Sequence, residues 1–161
     1  MSDRANRLVQ ALSEDEQEVD LMLVTSLVNV RYLTGFTGSN GAALIGPDRR
    51  LFLTDFRYAE QAAAEVDPAF ERHIIATGFF EELGPLLPDS ELRLGFEDRD
   101  VTVHQHATLR RRLRGSIELV AAGTPVEALR AVKDEREIER IRAACELADA
   151  ALREILEQGI A

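Results

Sequence analysis

Apolar positions along the chain recur at two periods, and the switches between them mark out alternating helices and strands. Ala5, Leu8 and Leu12 fall on one helical face, Ser2 or Asp3 can cap that helix, and the acidic stretch from Glu14 to Glu18 ends it. Leu21-Met22-Leu23-Val24 is a continuous apolar run, too short for a helix, and reads as a strand covered on both sides. The glycine-rich stretch around Gly35, Gly38 and Gly41 is a loop, and Arg31 and Tyr32 sit on the loop segment that leads into it. Ala42 to Ile45 and Leu51 to Thr54 flank the turn chemistry of Gly46-Pro47-Asp48 and form a hairpin.

Asp55 leads into a helix running through Tyr58 to Val66, closed by Asp67-Pro68. His73 to Ala76 is a strand, Phe79 to Leu87 a short amphipathic helix, and Leu92 to Phe96 another strand. Asp100 or Thr102 caps a helix through Leu109 and Leu113, with Gly115 as its stop, and Ile117 to Val120 is the last strand. The expected fold is therefore α/β: a mixed, mainly parallel sheet of about six strands covered by helices.

After Gly123-Thr124-Pro125 the pattern changes. Residues 1–124 form the α/β domain, and residues 125–161 form a linker and one long helix. Asp134 with Glu137 makes a capping box, and Ile138, Ile141, Cys145, Ala148, Leu152 and Ile155 follow at spacings of three and four, a single apolar stripe. Glu139 with Arg142, and Asp149 with Arg153, are favourable pairs on its flanks. A long amphipathic helix placed last reads as the end of a truncated chain, its stripe to be buried against its own domain or a second copy.

Composition narrows the class of partner. With 161 residues the chain can bury roughly 70% of its unfolded surface and build its own core. Its net charge of −10 leaves no basic face for nucleic acid. The one basic cluster, Arg110-Arg111-Arg112 with Arg114, suits a helix C-terminus. No apolar run is long enough to cross a membrane, and the first residues lead into no signal-peptide core. A single cysteine, Cys145, points to a reduced, cytoplasmic setting, and on the apolar stripe it reads as core packing.

Candidate chemistry is sparse. Gly35-x-x-Gly38-x-x-Gly41 lacks the spacing and lysine of a phosphate loop and runs into a strand, not a helix. His104 and His106, two apart on a helix, point about 200° apart and cannot share a metal, and His73 is isolated. Phe79-Phe80 reads as core or rim. Asp55, Arg57 and Tyr58 mark a strand-to-helix junction. Either Asp55 caps the helix, Arg57 pairs with an acid and Tyr58 packs on the sheet with its hydroxyl at the rim, or Arg57 or Tyr58 points at a substrate brought by another domain. Arg31 and Tyr32 carry the same two readings. No residue makes a convincing catalyst.

Two runs, Asn29 to Gly41 and Leu53-Thr54-Asp55-Phe56-Arg57-Tyr58-Ala59-Glu60-Gln61-Ala62, resemble the amino-terminal domain of the Xaa-Pro peptidases, namely aminopeptidase P, prolidase and their relative creatinase. Arg130, Lys133, Asp134, Glu137 and Ile138 are similar to the segment that opens the catalytic pita-bread domain of that family. The resemblance implies a non-catalytic domain that packs on its own catalytic domain, supports a dimer or higher oligomer, and overhangs the active site of a second subunit. It implies two divalent metals, manganese or cobalt, in the catalytic half and none in this fragment, which alone should be inactive on proline-containing peptides. Arg31, Tyr32, Phe36, Asp55, Arg57 and Tyr58 become candidates for shaping the substrate entrance. The alternatives are the amino-terminal half of a creatinase-like amidinohydrolase, or a module that binds peptides or proteins without catalysis.

Overall fold

The computed structural model describes residues 2–14 and 18–159. Six strands form one mixed sheet: β1 (Leu21–Val24), β2 (Ala42–Ile45), β3 (Arg50–Asp55), β4 (Glu71–Ile75), β5 (Leu92–Phe96) and β6 (Ile117–Ala121). Their order is β4-β3-β2-β1-β5-β6, with β2 antiparallel to both neighbours and every other pairing parallel. The hairpin between β2 and β3 closes with the Gly46 amide donating to the Arg49 carbonyl at 2.8 Å. Among the described residues the helices are α1 (Ser2–Ser13), α2 (Leu27–Thr34), α3 (Ala59–Glu65), α4 (Phe79–Glu82), α5 (Val103–Arg112), α6 (Pro125–Ala131) and α7 (Glu135–Gln158).

Alternation along the central strands divides the core. Met22 and Val24 of β1 pack with Ala5, Leu8 and Leu12 of α1, with Val30 and Leu33 of α2, and with Val126 of α6. Leu21 and Leu23 face the opposite layer, with Phe80 of α4, with Leu83 just after that helix, and with Leu109 of α5. Each fully buried leucine or phenylalanine of this kind stabilises the fold by roughly 1.5–3 kcal/mol.

Several local expectations need correction. The segment before Gly35, read as loop, is helix α2, so Arg31 and Tyr32 lie on a helix. It is short and rich in β-branched residues, and its N-cap Ser26 makes no side-chain cap. The cap comes from Glu97, whose carboxylate accepts from the Thr25 and Ser26 amides at 2.6 and 2.7 Å. Helix α1 already includes Ser2 and Asp3, which places Asp3 in the first turn, where its charge suits the helix dipole. Residues 15–17 of the acidic stretch after α1 lie outside the described residues.

The helix from Asp55 begins as a 3₁₀ turn, Phe56–Tyr58, before α3. Phe79 to Leu87 is two pieces, α4 and a 3₁₀ turn at Gly84–Leu86, because Pro85 has no amide to continue the ladder. The segment read as a linker after residue 124 contains α6, whose Val126 is buried.

The chain divides into two compact units, residues 1–129 and 130–161. In the second, α7 opens with the expected capping box: Asp134 accepts from the Glu137 amide and Glu137 from the Asp134 amide, both at 2.9 Å. Ile141, Leu152 and Ile155 of its stripe are exposed, as is Cys145, expected in packing. A unit built from little more than one helix has no second layer of its own with which to bury an apolar face.

Candidate functional site

β3 ends at Asp55, and that side chain organises the surface around it. Its Oδ1 accepts from the Arg57 amide at 2.9 Å, capping the 3₁₀ turn. The Arg57 guanidinium turns back on the same carboxylate through Nε to Oδ1 at 3.0 Å and Nη2 to Oδ2 at 2.8 Å. Asn40 adds a further donor to Oδ2. These donors, Arg57 above all, hold the Asp55 carboxyl well below the usual carboxylate range, and the carboxylate in turn raises the Arg57 guanidinium. Both groups are therefore charged at every physiological pH.

The loop from Gly35 to Gly41 is tied to the same strand end. The Asn40 carbonyl accepts from Thr54 Oγ1 at 2.6 Å, and Ser39 shares a 2.5 Å hydrogen bond with the Tyr58 hydroxyl. Thr37 donates its amide and hydroxyl to Glu65 of α3, which lowers that carboxyl below its ordinary value. Gly35, at φ 88°, supplies the left-handed residue that ends α2. Beneath the loop the Phe36 ring packs against Phe52 with centroids 4.8 Å apart.

Two open hollows of about 320 Å³ flank this loop. Asn40, Asp55, Phe56, Arg57, Thr77 and Phe79 border one. Leu27, Val28, Arg31, Thr37 and Ser39 border the other, with Phe36 at its floor. Four of the six residues singled out from sequence, Arg31, Phe36, Asp55 and Arg57, border these hollows, and Tyr58 packs on Phe36. Arg31 and Arg57 are exposed, whereas Phe36 is buried and acts from below. Tyr32 stands apart. Its ring is buried under the Arg4 guanidinium, 4.2 Å from the centroid, and its hydroxyl reaches the Leu129 carbonyl of α6 at 3.5 Å.

Sequence reasoning passed over Phe56. Its side chain is 77% exposed at the lip of the first hollow, flanked by the fixed pair Asp55 and Arg57. No helical or strand period marked it; its exposure follows from the 3₁₀ turn that Asp55 caps.

The described residues hold no group of three His, Cys, Asp or Glu side chains that could ligate a metal. They therefore do not fit a dinuclear centre, and no chemical step is placed on this unit. His73, His104 and His106 belong to β4 and α5. No helix among the described residues is long and apolar enough to cross a membrane.

A six-stranded mixed sheet with helices packed on both faces places this domain in the α/β class. Residues 4–132 match the family model described as the creatinase/prolidase N-terminal domain, and the chain belongs to that family. It is 40% identical over 146 residues to an uncharacterized peptidase of Bacillus subtilis, covering 86% of this chain and 39% of that protein. Among solved structures it resembles an Xaa-Pro dipeptidase from Bacillus anthracis, with a TM-score of 0.87 at 30% identity, over 96% of this chain and 42% of that one. It also resembles the N-terminal domain of the cytoplasmic peptidase PepQ from Mycobacterium tuberculosis, with a TM-score of 0.68 at 36% identity, over 79% of this chain and 98% of that one. The chain thus spans about two-fifths of the length of its full-length relatives.

Proposed function

We propose that this chain is the non-catalytic amino-terminal domain of a cytoplasmic, metal-dependent peptidase that cleaves Xaa-Pro bonds. Residues 1–124 form the domain and residues 125–161 the linker and first helix of the catalytic domain. The hydrolytic centre, with two manganese or cobalt ions, lies in that second domain. This domain works against its own catalytic domain and a second subunit, where it shapes the entrance for a proline-containing peptide.

One observation carries the reading: Arg57 and Asn40 are both held on Asp55, and Ser39 on Tyr58, beside an exposed aromatic, Phe56. A lip fixed by hydrogen bonds before substrate arrives loses little entropy on binding. Arg31 lines the neighbouring hollow of the same lip, and Phe36 supports it from within. The share of the relatives' length left uncovered has room for a catalytic domain.

The test is Xaa-Pro hydrolysis with added manganese by the 161-residue chain and by the full-length protein. The reading expects activity from the full-length protein alone, reduced by changes at Phe56 or Arg57. Full activity from the 161-residue chain, or a full-length protein indifferent to both changes, would overturn it.

A further inference from the structure

The two edge strands of the sheet differ. β4, at one edge, carries Glu71, Arg72 and His73 in sequence, and Glu71 pairs with Arg49 at 3.1 Å. Charged side chains of this kind keep other strands off an edge. β6 ends the sheet on the other side among the described residues and reads Ile117-Glu118-Leu119-Val120-Ala121. It holds neither proline nor lysine, and its one charge, Glu118, turns to Arg93 of β5 at 3.3 Å.

The ladder to β5 fixes which main-chain groups of β6 are spare. Leu92 donates its amide to the Ser116 carbonyl at 3.1 Å, and Ala122 donates its amide to the Phe96 carbonyl at 3.0 Å. Main-chain groups of successive strand residues point alternately to opposite sides in the plane of the sheet. Glu118 and Val120 therefore also turn to β5, whereas Leu119 and Ala121 present their amides and carbonyls to the open edge. Ile117, of the same set, donates its amide to the Arg114 carbonyl at 3.0 Å.

A hollow of about 430 Å³ runs along this edge. Ile117, Glu118 and Leu119 line it together. Side chains of consecutive strand residues alternate between faces, so three in a row share a wall only through the strand's edge. α5 supplies the facing wall with His106 and Arg110. Among the described residues no hydrogen bond or ion pair engages the Arg110 guanidinium or the His106 imidazole, whose ring packs on Phe96. Arg114, at the rim, is by contrast held by the Asp89 carboxylate and, at 2.6 Å, by the Pro88 carbonyl. Spare main-chain donors and acceptors thus stand opposite a cationic side chain and an imidazole that have no partner of their own.

We infer that the β6 edge binds an extended, acidic peptide segment, which adds to the sheet as a further strand and sets its carboxylates against Arg110 and His106. The main-chain groups of Leu119 and Ala121 take any extended backbone and confer no choice of sequence. The choice comes from α5. Ile117 and Leu119 turn their side chains to the α5 layer, so alternate side chains of an added strand come to lie on that same side, beside Arg110 and His106. A carboxylate there accepts charge-assisted hydrogen bonds from the guanidinium, whereas a cationic side chain meets like charge. Strands β2, β1 and β5 stand between β6 and β3, whose end carries the lip, so this surface is separate from the one assigned to the peptidase reading.

The test adds two capped heptapeptides to the 161-residue chain, one alternating threonine with glutamate and the other alternating threonine with lysine, and follows amide resonances and hydrogen exchange. With the glutamate peptide, the Leu119 and Ala121 amides should shift saturably, half-way at or below about 1 mM, and exchange severalfold more slowly, while the β4 amides stay unchanged. The lysine peptide should leave all of them in place. Arg110→Gln should weaken the glutamate peptide severalfold, the size of an exposed ion pair, and Arg112→Gln, on the same helix but outside the hollow, should not. Ala121→Pro removes an outward amide that β5 does not use, and should abolish binding. An equal response to both peptides, a response of the α5 resonances alone, or no response would overturn the inference. So would Leu119 and Ala121 amides that shift with protein concentration before any peptide is added, since a second copy would then hold the edge. The two-peptide series on the unaltered chain needs no variant to fold, and no readout uses peptidase activity.

Discussion

Phe36 and Tyr58 meet edge to face, their ring centroids 5.7 Å apart at 85°. Phe36 comes from the glycine loop and Tyr58 from the turn after β3, so this contact joins the two stretches that carry the family resemblance. The quadrupoles of the rings favour such a geometry. The Tyr58 hydroxyl then reaches Ser39 and closes the loop over the pair. The exposed lip is the outer surface of a small aromatic core.

Gly38 is the point at which that core tolerates no side chain. A Cβ placed there would lie 2.3 Å from the Phe36 ring and 2.9 Å from that of Tyr58. Gly38→Ala is expected to destabilise the protein by about 1–3 kcal/mol through overpacking. Urea denaturation of Gly38→Ala, Phe36→Leu and the double variant would check it. The double variant should lose less than the sum of the singles, because the smaller side chain vacates the clashing space.

Gly35 has a different requirement. Its φ of 88° lies in the left-handed region, where a Cβ crowds the backbone, yet its amide must stay to bond the Arg31 carbonyl at 2.9 Å. Gly35→Ala should cost about 1–2 kcal/mol in thermal unfolding. Gly35→Asn should recover part of the loss, since asparagine tolerates this conformation better. An alanine variant as stable as the parent would show that α2 does not depend on this ending.

The particular residues explain why some of this was legible in sequence. Leu21–Val24, the hairpin around Gly46-Pro47-Asp48, and the Asp134/Glu137 box are written in consecutive residues, and each formed where expected. The reading of Asp55 as a cap and of Arg57 as paired with an acid was also local, since that acid lies two residues away. α2 was not legible, because its cap is Glu97, about seventy residues downstream. The separation of Tyr32 from the lip was hidden for the same reason: adjacent Arg31 and Tyr32 diverge only once α2 is helical. Phe56 gave no helical or strand periodicity, and its exposure follows from the 3₁₀ turn that Asp55 initiates.

Acid should loosen the lip before it unfolds the domain. Asp55 is held far below its ordinary value of 3.8, first by the Arg57 side chain and then by Asn40 and the Arg57 amide. A carboxyl depressed in the folded state contributes stability above 3.8, and that contribution is lost as pH falls below it. Acid titration of the unfolding midpoint should therefore be steeper below pH 3.8 in the parent than in Asp55→Asn. Equal slopes would mean that the Asp55–Arg57 pair forms equally in the unfolded chain.

Phe56 separates a substrate-facing lip from a merely structural one. Its ring lies largely in solvent, so Phe56→Ala removes little buried area and should leave the unfolding midpoint within about 0.5 kcal/mol of the parent. If the lip meets the peptide, the same change in the full-length protein removes apolar contact from the bound state. A loss of about tenfold in kcat/KM, equivalent to about 1.4 kcal/mol, is the expected size for an Xaa-Pro peptide. Arg57→Ala should also lower kcat/KM, but with a measurable loss of stability, because Asp55 would keep its charge and lose its main partner. Val103 supplies the control: it is 88% exposed on α5 and lines neither hollow of the lip. Val103→Ala should change neither quantity. Equal, unaltered kinetics in Phe56→Ala and Val103→Ala would place the substrate elsewhere on the domain, whereas a drop confined to Phe56→Ala, at unchanged stability, would put the peptide at the lip.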